Sequence, residues 1–268
     1  MRTKKILAFL FAIAFLIACS RVPITNRKQV NLLPESEMIG MAMTSYNEFL
    51  AANPPVPSSN AEAQMVQKLG QNIATAVESY MTEHGKQKRI AGFEWEFKLV
   101  NDPMVNAWCM PGGKVVVYAG ILNVAETEAG LAVVMGHEIA HAIARHGNER
   151  MSQQLVIQMG GITLATLLQE KPEAAQNIFL SSYGIGTGLG ALSFSRQHES
   201  EADKMGLIFM SMAGYDPREA PKFWERMSTE GGAEPPEFLS THPNHETRVN
   251  DLNEFMPEAL KYYNPVQN

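Results

Sequence analysis

A mainly helical α+β fold with a small antiparallel or mixed sheet of about three strands is what this 268-residue sequence predicts. Three observations carry the prediction. Apolar residues recur at helical spacing through most of the chain, one short stretch near residue 95 alternates as strands do, and proline and glycine clusters cut the helical stretches to ordinary lengths. With 45% hydrophobic and 19% charged residues, the chain is globular and long enough for one good core. Its 28 acidic against 22 basic residues lack the basic excess of a nucleic-acid binder, so no nucleic acid is expected as a partner. Two cysteines, Cys19 and Cys109, are too few for a disulfide scaffold.

The first elements are read as a leader. Arg2, Lys4 and Lys5 precede an unbroken apolar run from Ile6 to Ile17. As a helix that run rises about 18 Å, against a membrane core of about 30 Å, so residues 1–18 read as a signal peptide and not a span. It ends Leu16-Ile17-Ala18-Cys19, which resembles a bacterial lipobox. That likeness implies a lipid on Cys19 and attachment to a membrane. Ser20 in the next position implies the outer membrane of a bacterial cell envelope, facing the periplasm.

Residues 19–59 are expected to form a polar tether and an N-terminal helix, and residues 60–260 the main domain. Pro34-Glu35-Ser36-Glu37 opens the helix with acidic residues at its positive end. Three prolines between Pro54 and Pro57 end it. A second helix carries Val66, Leu69, Ile73, Val77 and Tyr80 on one face. Phe93 to Leu99 alternates as a half-buried strand; Pro111-Gly112-Gly113 is a turn, and Lys114 to Tyr118 is β-branched and aromatic. Beyond Ile121 the pattern is helical, with breaks near Gly147, Pro172, Gly214 to Pro217 and Gly231 to Pro236.

The chemistry lies in Gly136-His137-Glu138-Ile139-Ala140-His141, an HExxH motif within a mostly apolar helical stretch. Histidines at i and i+4 share one helix face about 6 Å apart, so both imidazoles can converge on one Zn²⁺. Glu138 lies one residue round, where it reaches a water without ligating the metal. A catalytic zinc takes three protein ligands. The third is expected from a later helix, as Glu199, with Asp203 one turn on to accept the free ring N–H of a zinc histidine. Only four of the 28 acidic residues are aspartates, which makes Asp203 in this register informative. Glu201, His198, His146 and His245 read as solvated or surface groups, Trp224 as core, and Cys109 as a packed thiol. Gly184 to Gly190 reads as a flexible or closely packed connection, because it follows no strand and lacks the Lys-Ser/Thr of a nucleotide loop. Leu155 to Leu168 is short for a span and reads as buried helix.

These residues resemble the M forty-eight peptidase family of zinc metallopeptidases. The likeness rests on His137-Glu138-Ile-Ala-His141 with Glu199-Ser-Glu-Ala-Asp203, on Asn106 to Gly113 followed by Lys114 to Gly120, and on Ser240-Thr-His242-Pro243 with Arg248 beyond. It covers roughly residues 60–255, with Trp108-Cys109 as its one local departure. The resemblance implies a zincin-like metallopeptidase holding one zinc per chain. His137, His141 and Glu199 would be the ligands, Glu138 the general base and Asp203 their support. It also implies a late His242 that either donates to the oxyanion or occupies the open metal position, and an Arg248 that salt-bridges near the site. Val115 to Tyr118 is expected to pair with an extended polypeptide substrate. The branch implied is the periplasmic lipoprotein one, acting on unfolded or misassembled envelope proteins. The competing class is a lipid-anchored chaperone or assembly factor with a latent site.

Overall fold

In the computed structural model the described residues are 19–158, 164–170, 172–185, 194–230, 237–242 and 247–265. The leader, His245 and most of the Gly184 to Gly190 run lie outside them. The N-terminal segment is docked where the sequence suggests a tether. Strands β1 (Cys19–Arg21) and β2 (Lys28–Val30) pair as an antiparallel hairpin. Val22 is fully buried and Gln29 nearly so. Helix α1 (Glu35–Ala52) follows Pro34, with Glu35 and Glu37 in its first turn as the helix dipole favours. Helix α2 (Ala61–Glu83) starts at Asn60, whose side chain accepts hydrogen bonds from the N–H groups of Glu62 and Ala63 and so satisfies two free donors.

Three short strands make a mixed sheet: β3 (Glu96–Val100), β4 (Ala107–Met110) and β5 (Lys114–Tyr118). Their order is β3–β5–β4, with β3 parallel and β4 antiparallel to β5. The period-two alternation sends Leu99, Cys109, Val115 and Val117 into one apolar cluster and Trp108, Met110, Val116 and Tyr118 into another. This order corrects the expected docking strand. Both edges of β5 are already paired, so Val115 to Tyr118 cannot accept a further strand; β4 is the edge beside it.

Nine further helices complete the described chain. These are α3 (Gly120–Ala125), α4 (Glu128–Ala144), α5 (His146–Gln158), α6 (Leu164–Glu170), α7 (Pro172–Ser182), α8 (Arg196–Met212), α9 (Glu219–Thr229), α10 (Glu237–Thr241) and α11 (Arg248–Ala259). Of the Leu155 to Leu168 run, residues 155–158 close α5 and 164–168 lie in α6, the rest falling outside the described residues; Leu155 and Leu167 are buried. Helix α4 is capped by Thr127, whose hydroxyl accepts from the N–H of Gly130, and it ends at Arg145 in the left-handed region (φ 61°). Every residue from Gly130 to Ala144 is buried, so α4 is the central helix.

Helices α4 and α8 cross with almost no space between their backbones. A Cβ added to Gly206 would lie 2.9 Å from the His137 amide nitrogen and 3.0 Å from the Gly136 carbonyl carbon. Glycine at both 136 and 206 permits this approach. The approach places the His137 turn of α4 directly against the Glu199–Asp203 turn of α8. Among the described residues, no helix is long and apolar enough to cross a membrane.

Candidate metal centre

The i, i+4 histidines of α4 turn their Nε2 atoms to a common point 3.0 Å apart. Glu199 of α8 meets both: Oε2 lies 3.4 Å from His137 Nε2, and Oε1 lies 3.4 Å from His141 Nε2. His242, at the end of α10, brings Nδ1 within 3.3 Å of His137 Nε2 and 3.1 Å of Glu199 Oε1. These four residues are at most 3% exposed, and one ligand atom from each lies within 4.8 Å of the others.

The residues fit a zinc ion. Ligands about 2.0–2.2 Å from a tetrahedral zinc are separated by about 3.3–3.6 Å, close to the spacings here. The ring protons point the same way. His137 Nδ1 donates to Asp203 Oδ1 at 2.9 Å, which leaves a lone pair on Nε2 facing the lone pair of His141 Nε2. Two such lone pairs repel unless a proton or a cation lies between them. Glu199 Oε2 adds an acceptor that makes no hydrogen bond, although Arg248 Nη2 lies 3.1 Å away.

Electrostatics follow from burial and charge. Burial alone would lower His137, but Glu199 and Asp203 outweigh it and raise its pKa to about 9. His141 is pushed well below the usual range, chiefly by burial. Burial would raise Glu199, yet the neighbouring histidines hold it well below the ordinary carboxylate value. Asp203 is likewise lowered, against its burial, by Arg248 and His137. Glu138 moves the other way. Burial raises its pKa, Oε1 makes no hydrogen bond, and His242 Nε2 lies 3.4 Å from that oxygen.

Arg248 is fully buried, donates to both Asp203 oxygens at 2.8 and 2.9 Å, and lies 3.3 Å above the Trp224 ring. Trp224 is core, as its type suggests, and also the floor under that guanidinium. The structure thus brings together His137, Glu138, His141, Glu199, Asp203, His242 and Arg248. It corrects three surface assignments. His146 is fully buried between His141 and Glu201, while Glu201 and His198, both 5% exposed, join Arg27 and Glu149 in a second polar cluster. Arg27 had no sequence signal of its own, because its partners come from the hairpin, α5 and α8. Cys109 is a buried thiol on β4, raised by burial and by nearby Glu138, which places β4 alongside α4.

A buried His-His-Glu centre between two crossing helices, beside a small mixed sheet, defines a zincin-type metallopeptidase scaffold. The profile of Peptidase family M48 matches residues 65–256, and the chain belongs to that family. It is 32% identical over 242 residues to mitochondrial metalloendopeptidase OMA1 of Schizosaccharomyces pombe, an alignment covering 89% of this chain and 66% of that one. Its identity to the protein of the same name from Arabidopsis thaliana is 37% over 189 residues, covering 69% of this chain and 36% of that one. Identity to the beta-barrel assembly-enhancing protease of Escherichia coli is 29% over 212 residues, covering 77% and 41%. The chain therefore spans between about a third and two thirds of the length of these relatives. These comparisons overturn the expected location. The relatives from fission yeast, Arabidopsis and human are mitochondrial by name, which does not fit an outer-membrane lipoprotein of the bacterial envelope.

Proposed function

We propose that the protein is a zinc metalloendopeptidase that hydrolyses peptide bonds in extended segments of unfolded or misassembled polypeptide. The observation that carries this is the convergence of His137, His141 and Glu199 on one buried point, with an unbonded Glu138 oxygen on the same helix. These three side chains would hold one zinc, which when bound supplies a Lewis acid that polarises the scissile carbonyl and makes a water nucleophilic near neutral pH. Glu138 takes the proton of the attacking water and returns it to the leaving amine; its burial-raised pKa suits both transfers. Asp203 fixes His137 with Nε2 inward by accepting its Nδ1–H, and Arg248 fixes Asp203. His242 Nδ1 faces the three ligands, a position that favours its role as a cap on the centre over that of an oxyanion donor.

The substrate is read through its backbone. β4 is a sheet edge beside α4; Ala107 to Met110 are buried and the Ala107 N–H is held by Asn106, so an extended chain pairs there once that cover opens. Such pairing selects extended conformation over side-chain sequence. The catalytic reading is tested by zinc content and cleavage of an unfolded protein. Wild type should bind one zinc per chain and cleave, and Glu138→Gln should keep the zinc but lose about 10²–10⁴-fold in turnover. Equal activity in the two proteins overturns it.

A further inference from the structure

His141 has a second ring nitrogen, and what that nitrogen touches lies outside the centre described above. Its Nδ1 is 3.0 Å from Nδ1 of fully buried His146, and His146 Nε2 is 3.2 Å from Glu201 Oε2. Glu201 in turn receives Arg27 Nε at 2.6 Å and the Thr25 hydroxyl. Arg27 also forks onto Glu149 through Nη1 and Nη2 at 2.8 and 2.7 Å. Thr25 and Arg27 sit on the N-terminal hairpin, ahead of residue 65 where the family match begins.

We propose that His146 and Glu201 are positioning residues for His141, anchored by Arg27 of the N-terminal hairpin, and that they set the affinity of the centre for zinc. The proposal rests on the reading that His141 is a metal ligand. A neutral imidazole carries one donor and one acceptor. For His141 Nε2 to face a cation with its lone pair, Nδ1 must carry the hydrogen. His146 Nδ1 must then accept it, and His146 Nε2 must donate to Glu201. Any other placement sets two lone pairs or two hydrogens against each other somewhere along the chain of contacts. A carboxylate at Glu201 accepts only, so it fixes the order of protons and points the His141 lone pair inward. Arg27 and Thr25 saturate the same carboxylate and hold it in place.

The pattern repeats the support of His137. There Asp203 accepts directly and Arg248 holds Asp203. For His141 the carboxylate is one imidazole further out, and the arginine comes from the hairpin. The second cluster does not read as another metal site, because the Arg27 guanidinium already occupies oxygens of both its carboxylates.

The test is zinc affinity of the purified full-length protein, measured by competition with a chromophoric chelator. Absorption of the cobalt(II)-substituted protein gives a second readout of ligand geometry. Glu201→Gln and His146→Leu are expected to weaken zinc binding about 10–100-fold and alter the cobalt spectrum, the effect typical of a lost outer partner of a metal histidine. Arg27→Gln should weaken it toward the lower end of that range. His146→Asn, which keeps an acceptor where Nδ1 stood, should retain more affinity than His146→Leu; a role in packing alone would not give that order. Glu35→Gln removes another ion pair from the N-terminal segment, with Arg145 at 3.0 Å, and serves as the control that lowers thermal stability without moving zinc affinity. Zinc binding by Glu201→Gln within twofold of wild type overturns the inference, as does an equal loss in Glu35→Gln. A wild-type protein that binds no zinc overturns the proposed function itself, and this inference with it.

Discussion

Two buried histidine–carboxylate clusters lie side by side on helices α4, α5 and α8, and they are built from the same residue types to opposite ends. In one, His137, His141, Glu199 and His242 point ligand atoms at a common centre. In the other, His146 and His198 each bond a carboxylate, Glu201 and Glu149, and Arg27 bridges those two carboxylates, so the negative charge meets a guanidinium. Burial does not distinguish them, since both sets are almost inaccessible. What differs is where the positive charge comes from. Arg248 bonds Asp203 and leaves the ligand atoms of the first cluster facing one another, whereas Arg27 bonds both carboxylates of the second, which can then support His141 but hold no metal themselves. Counting histidines and carboxylates cannot separate these cases.

The largest break in that comparison is a substitution within each cluster. Glu199→Gln should weaken zinc binding more than about 100-fold, beyond the range for outer partners. Glu149→Gln, equally conservative and similarly buried, should leave zinc affinity nearly unchanged. Chelator competition on both proteins measures the contrast, and equal losses would erase the distinction. Asp203→Asn comes next. It weakens the acceptor for the His137 ring N–H and removes the charge partner of Arg248, so zinc affinity should fall about 10–100-fold.

Much of this was legible in the sequence, for reasons that particular residues show. His137, Glu138 and His141 are visible because one helical turn fixes their relation, and Glu199 with Asp203 because a second turn does the same. The sheet was legible as a group of strands, but its order was not: nothing local to Lys114–Tyr118 says that both its edges will be taken. The surface readings of His146, His198 and Glu201 failed for one reason. Each is satisfied by a partner from another element, His141 and Glu149 from α4 and α5, or Arg27 from the hairpin. Lone polar residues on a helix look solvated until the element that buries them is known. The glycines at 136 and 206 were also mute, because their meaning is a distance between two helices.

That distance gives the third break. Gly206→Ala should destabilise the fold by about 1–3 kcal/mol, the usual cost of overpacking, because its Cβ would meet backbone and not a side chain that can move. Thermal unfolding with and without zinc reads it. Since the strain falls at the His137 amide, the zinc-bound form should lose at least as much as the metal-free form.

The smallest expected effect belongs to the second cluster and appears in acid. Burial alone would raise the Glu149 pKa, but hydrogen bonds from Arg27 and His198 outweigh it and hold the carboxyl down at about 2, against 4.5 ordinarily. A carboxyl lowered in the folded state contributes stability that is fully present above its unfolded pKa and is lost as pH falls through the folded value. The contribution of the Arg27–Glu149 pair should therefore be complete above about pH 5 and decline between there and about pH 2. Arg27→Gln removes much of what lowers Glu149, so its stability should fall short of wild type at pH 7 and converge toward it in that acid window. Denaturant titrations at several pH values measure the gap. A gap that stays constant down to pH 2 would mean that Arg27 stabilises by packing its side chain and not through the carboxylates it joins, and the electrostatic contrast between the two clusters would then lose half its support.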